Sequence, residues 1–107
     1  MTIQILHYEF LGQSKISEWG PPMDKVSYII FNQDKSGFIP LYVDESDKTD
    51  QNDFFTQNDN FKCWIQHAGT EDNLYLSILP LWESEKLERK RIVTKIISKY
   101  RPLCQTE

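Results

Sequence analysis

Glycine, cysteine and long apolar runs are all scarce in this chain. Its four glycines are scattered, so none of them builds the Gly-rich loop that cradles phosphates at a helix N-terminus. Two cysteines, Cys63 and Cys104, are too few for a disulfide framework and read as reduced thiols of a cytoplasmic protein. No apolar run nears the roughly 20 residues that span a bilayer, which predicts no membrane partner. Met1 to His7 lacks the charged n-region and small-residue cleavage site of a secretory signal, which again predicts a cytoplasmic location. Arginine is missing from Met1 to Trp82, and the net charge is −4. A wholly basic nucleic-acid binder is therefore excluded.

What the chain does have is length for one domain over residues 1–107 and an aromatic share of 13%. At this size folding buries about two-thirds of the unfolded surface, enough for one core. The charge is also unevenly placed. Residues 1–82 are net −7, whereas residues 83–107 are net +3 through Lys86, Arg89, Lys90, Arg91, Lys95, Lys99 and Arg101 against four acids. The acidic stretch from Asp44 to Asp59, rich in Asn, Gln and Thr, reads as a solvated loop or weak helix entry. Carboxylates there have nothing to desolvate them and are expected to be surface charges.

Periodicity orders the elements. Ile3 to Leu11, ending at Gly12, reads as a strand. Trp19 sits in the rigid loop Glu18-Trp19-Gly20-Pro21-Pro22, as a lid over the core or an anchor for a partner. Val26–Phe31 and Phe38–Val43, joined by turn residues, predict a β-hairpin in which Pro40 marks a bulge or an unpaired position. Phe61, Trp64, Ile65 and Ala68 share one helical face that stops at Gly69. Asn73–Leu79 predicts a strand stopped by Pro80, and Glu83–Tyr100 a long helix ended by Pro102. The fold class is α+β: a small, mainly antiparallel sheet packed by two to three helices.

Among chemical constellations, Cys63 and His67 stand at i, i+4, a spacing that can present two ligands to one metal. Only His7 and Cys104 remain to complete such a set, so no metal or other cofactor is predicted. On the long helix, Arg89 lies within about 20° of the centre of the apolar face and Glu85 about 60° from it. The pair overlooks a polar cleft, or the stripe simply runs past the sheet edge with Arg89 snorkelling. Tyr28 and Tyr42, in the two hairpin strands, share a sheet face if the register allows it.

Ser27-Tyr28-Ile29-Ile30, a turn, then Leu41-Tyr42-Val43-Asp44 resembles the paired-strand signature of the GIY-YIG nuclease domain. The end of the chain, Ile96 to Gln105 with Pro102, is similar to that family's closing helix and tail. The resemblance covers about residues 24–105 and leaves 1–23 as an added N-terminal strand and loop. It implies Tyr28 and Tyr42 as the two tyrosines of the site. The two motif glycines fall on Val26 and Asp44, the metal-binding glutamate on Val93 and the tail asparagine on Gln105, and no first-helix arginine exists. Without a carboxylate for the cation or a guanidinium for the phosphate, family-type cleavage is not expected.

The expectation is thus a non-catalytic binding module for a protein or small-molecule ligand. Its site would be the face bearing Tyr28 and Tyr42 with Arg89 at the edge, flanked by Glu85 and Trp19. Two alternatives stand beside it. One is a divergent metal-dependent nuclease using Glu85 and Arg89. The other is nucleic-acid binding without cleavage through the basic Lys86–Arg101 helix, which the acidic 44–59 stretch disfavours.

Overall fold

A computed structural model describes residues 2–18, 24–48 and 58–105. Five strands form one sheet: β1 (Thr2–Ile5), β2 (Tyr8–Lys15), β3 (Asp24–Asp34), β4 (Gly37–Lys48) and β5 (Leu74–Pro80). Helix α1 (Phe61–Ala68) joins β4 to β5, α2 (Lys86–Tyr100) follows β5, and short 3₁₀ turns occupy Ile16–Glu18 and Glu71–Asn73. The spatial order is β1-β2-β5-β3-β4, and every neighbouring pair is antiparallel. The α+β reading is therefore correct.

The middle strands explain themselves. β3 and β5 read as continuous apolar runs because both faces of the sheet are covered, one by α1 and one by α2. Along β3, Val26, Tyr28 and Ile30 join Trp64 of α1, whereas Ile29 and Phe31 join Ile92, Val93 and Ile96 of α2. Period-two alternation thus splits one hydrophobic run between two cores. The sheet also curls: Ile3 and Ile5 from one edge meet Phe38 and Pro40 from the other around Ile96 and Tyr100, lining an apolar cavity of about 230 Å³.

Pro40 stands where it was expected. The register of β3 and β4 shifts between Ile30 and Phe31, next to the Phe31–Pro40 pair. Since β4 is an edge strand, the donor that Pro40 lacks faces no further strand. That edge is covered by the chain's own tail. Leu103 N–H donates to the Pro40 carbonyl (3.3 Å) and Cys104 N–H to that of Leu41 (2.7 Å). The Gln105 amide then accepts from Val43 N–H (2.9 Å) and donates to the Val43 carbonyl (3.0 Å), imitating one more strand residue.

Three expectations are corrected. The N-terminal strand is a hairpin: Leu6 turns the chain at φ 56°, and Ile5 pairs with Tyr8. Gly12 does not end a strand but sits at a bulge inside β2 with φ 106°, where a Cβ would lie 2.7 Å from the Leu76 carbonyl oxygen. Close backbone approach, not termination, is what requires glycine there. Second, the acidic stretch does not begin as a loop; Asp44 to Lys48 extend β4, and residues 49–57 lie outside the described residues. Third, Cys63 and Cys104 are joined as a disulfide, their Cα atoms 5.8 Å apart, so they are not the reduced pair expected. Helix α1 and the tail along β4 bring together two residues that are 41 apart in sequence.

Candidate functional site

Tyr28 and Tyr42 do reach the same face. Tyr28 pairs with Asp44 and Ile30 with Tyr42, so the two tyrosines are diagonal neighbours, with ring centroids 6.3 Å apart. The Tyr42 ring lies 5.4 Å from that of Trp64, which α1 lays across them. The Tyr42 hydroxyl donates to Asp44 Oδ2 at 2.8 Å, and Asp44 Oδ1 accepts from Glu45 N–H at 2.8 Å. Asn58, just before α1, reaches both phenols, and Asn60 reaches Tyr42. Asn58 is itself fixed by accepting from Asn60 N–H at 2.9 Å.

This arrangement sets the chemistry of the phenols. Burial, reinforced by the Asp44 carboxylate, raises the Tyr28 pKa far above its usual 10. Tyr42 is raised for the same first cause, then by its hydrogen bond to Asp44. Both stay neutral, able to donate a hydrogen bond and unable to act as base or nucleophile. Tyr28 is 1% exposed and Tyr42 7%, so the face expected to receive a ligand is roofed by α1.

Arg89 is not at the edge of this site. Its Nε donates to Glu45 Oε1 at 3.0 Å, and its Nη1 donates to the Ser84 carbonyl and Oγ, each at 3.1 Å. Glu45 follows Asp44 on β4, so its side chain points through the opposite face, toward α2. The sheet therefore separates the guanidinium from the phenols. The polar end of the helix stripe is neither a cleft nor a snorkelling contact but a buried ion pair. Glu85 occupies the N-cap position of α2 in extended conformation, makes no side-chain capping bond and is exposed, on the Arg89 side of the sheet. Trp19 lies outside the described residues.

Sequence reasoning missed Asp44, Glu45, Asn58, Asn60 and Ser84 as site residues. One signal was available: Tyr42-Val43-Asp44-Glu45 continues strand alternation into the acidic stretch. It puts one carboxylate on each face, so neither is an ordinary surface charge.

The remaining constellation is Cys63, His67 and Cys104. Their potential ligand atoms all lie within 4.8 Å of one another. His7 is not among them; it sits in the β1–β2 turn against the Tyr8 ring. Cys104 is buried, Cys63 half-buried, and His67 exposed in the last turn of α1.

On the outer side of α2, Leu87, Lys90, Arg91, Thr94 and Lys95 form one shallow surface. Leu87 is 62% exposed, and Trp82, in the turn before the helix, is 65% exposed. Compared with protein-family models, with curated proteins and with solved structures, the chain matches none.

Proposed function

We propose that this chain is a non-catalytic binding module on a scaffold similar to the GIY-YIG nuclease domain, and that it docks an acidic protein partner on the solvent face of α2. The observation that carries the reading is the division of the polar groups by the sheet. The two phenols lie under α1, while Arg89 and Glu85 belong to the α2 side, and Arg89 is already bound to Glu45. A nuclease of that type needs its tyrosines, its cation ligand and its guanidinium around one phosphate, and here the sheet stands between the phenols and the other two. The same division counts against a divergent nuclease built on Glu85 and Arg89.

The scaffold likeness draws support from topology. A hairpin, a helix, a strand and a helix follow in that order, with β5 beside β3. The docking face is argued from charge and exposure. Lys90, Arg91 and Lys95 line one shallow surface with the exposed Leu87 and Thr94, and no acidic residue is among those five. An exposed leucine beside three cations suits a partner that is itself acidic and amphipathic.

The test is a cleavage assay on plasmid and branched DNA in Mg²⁺ or Mn²⁺, beside titrations with a labelled acidic amphipathic peptide and a labelled DNA duplex. The expected result is no cleavage and peptide binding that weakens about tenfold or more in Leu87→Ser or Lys90→Glu. Metal-dependent cleavage that is lost in Tyr42→Phe overturns the reading. Duplex binding at about 50 mM salt that falls steeply with added salt replaces the protein partner with nucleic acid.

A further inference from the structure

We propose that, once reduced, the chain binds one Zn²⁺ through Cys63, His67 and Cys104, and that the disulfide and the metal are mutually exclusive ways of holding the tail to α1. The residues come from two elements that the fold makes neighbours. Cys63 and His67 stand one turn apart on α1, on one helix face. Cys104 is brought to them by the tail's backbone bonds to β4, Leu103 N–H to Pro40 and Cys104 N–H to Leu41. Those bonds do not involve the sulfur, so the position of Cys104 is defined independently of the disulfide.

The donor set suits zinc by number and kind. Two thiolates and an imidazole are borderline-soft ligands, and three protein ligands plus one exchangeable position is a recurrent zinc arrangement. Zn–S bonds of about 2.3 Å at a tetrahedral angle put the two sulfurs about 3.8 Å apart. Cα atoms 5.8 Å apart reach that separation by side-chain rotation, without moving the helix or the tail. The imidazole already has its nitrogen within 4.8 Å of both sulfurs and needs only to close on the ion. Because His67 is exposed, the fourth position opens to solvent and is filled by water.

The exchange balances simply. A dithiol reductant gives two electrons and two protons to the Cys63–Cys104 bond, leaving two thiols here and a disulfide on the reductant. Zn²⁺ then takes both sulfurs as thiolates, and their two protons go to solvent. In an oxidising setting the tail is tied by sulfur to sulfur. In a reducing one, where that bond is lost, the same residues tie it through the metal.

The test uses the full chain, reduced and oxidised, titrated with Co²⁺ as a spectroscopic stand-in and then with Zn²⁺. The reduced protein should take up one Co²⁺ with thiolate-to-cobalt charge-transfer absorption and tetrahedral d–d bands, both erased by Zn²⁺. The oxidised protein should show neither band. His67→Ala, on an exposed helix position, should weaken Co²⁺ binding by about tenfold or more. If reduction alone unfolds the chain, Zn²⁺ should restore its native circular dichroism. Absence of the charge-transfer band in the reduced protein, unchanged affinity in His67→Ala, equal binding by the oxidised form, or an unfolded reduced chain that Zn²⁺ does not restore would each overturn the proposal.

Discussion

The buried rings under α1, those of Tyr28, Tyr42 and Trp64, carry polar atoms, whereas the core around α2 has only phenylalanine rings, Phe10 and Phe31, buried among its aliphatic side chains, with one charged pair sunk into it. Under α1, Tyr28, Tyr42 and Trp64 pack ring to ring, and the two phenol hydroxyls are tied off by Asp44, Asn58 and Asn60. Around α2, Phe10, Ile29, Phe31, Val43, Ile92, Val93 and Ile96 belong to the core, and Arg89 with Glu45 is its charged exception. Helix α1 has only eight residues, too short to be stable by propensity, and is fastened covalently to the tail. Helix α2 has fifteen, enough to bury four side chains along one stripe. The contrast teaches that a small sheet covered on both sides need not use the same cement twice. A short helix relies on rings and a cross-link, and a long one on aliphatic area.

The contrast is most easily broken at Arg89. Arg89→Met leaves the Glu45 carboxylate buried without its partner and should cost about 3–5 kcal/mol in urea unfolding. Adding Glu45→Leu should recover most of that loss, because apolar replacement of both partners removes the unpaired charge. A small loss in the single variant, or no recovery in the double, would mean that the pair is solvated.

Next in size is the cross-link. The Cys63–Cys104 bond closes a loop with a separation of 41 residues, and opening it in the presence of a metal chelator should cost about 3–4 kcal/mol through loop entropy. The loss should fall first on α1, visible as faster amide exchange in Phe61–Ala68 than in α2. Equal loss of protection in both helices would show that the two faces are not held separately.

The smallest effect belongs to the phenols. Tyr42→Phe removes the donor to Asp44 and should cost about 1 kcal/mol at neutral pH. The fold raises both phenol pKa values, so it favours their neutral form. The stability they add is complete below the ordinary value of 10 and is lost above it, as the unfolded chain ionises while the folded one resists. Urea unfolding followed across that pH should show a steeper alkaline loss for the native chain than for Tyr42→Phe. Parallel curves would place the Tyr42 hydroxyl in water.

Much of this architecture was legible in the residues. Phe61, Trp64, Ile65 and Ala68 followed by Gly69 mark α1, and Gly69 does close it with φ 87°. Pro80 and Pro102 mark where β5 and α2 end, because each lacks a donor and restricts the residue before it. The candidate site was less legible. That Tyr28 and Tyr42 share a face follows from hairpin register, which the bulge beside Pro40 shifts, and no local pattern fixes such a shift. The destination of Arg89 was hidden for another reason. Its partner Glu45 sits in a stretch so polar that composition argues for a loop.

By itself the sequence determined the central hairpin, both helices and the ends of β5 and α2, though not the Leu6 turn or the Gly12 bulge, since most such features are decided by φ preferences and by side-chain spacing within a few residues. Which carboxylate meets which cation, which cysteines meet, and which face each tyrosine serves were decided only by the tertiary structure. Glu45 and Arg89 are 44 residues apart, and Cys63 and Cys104 are 41 apart. Contacts of that range depend on strand order and register, which are properties of the whole sheet. The same is true of the zinc proposal: the i, i+4 spacing offers two ligands, and only the tail laid along β4 supplies the third.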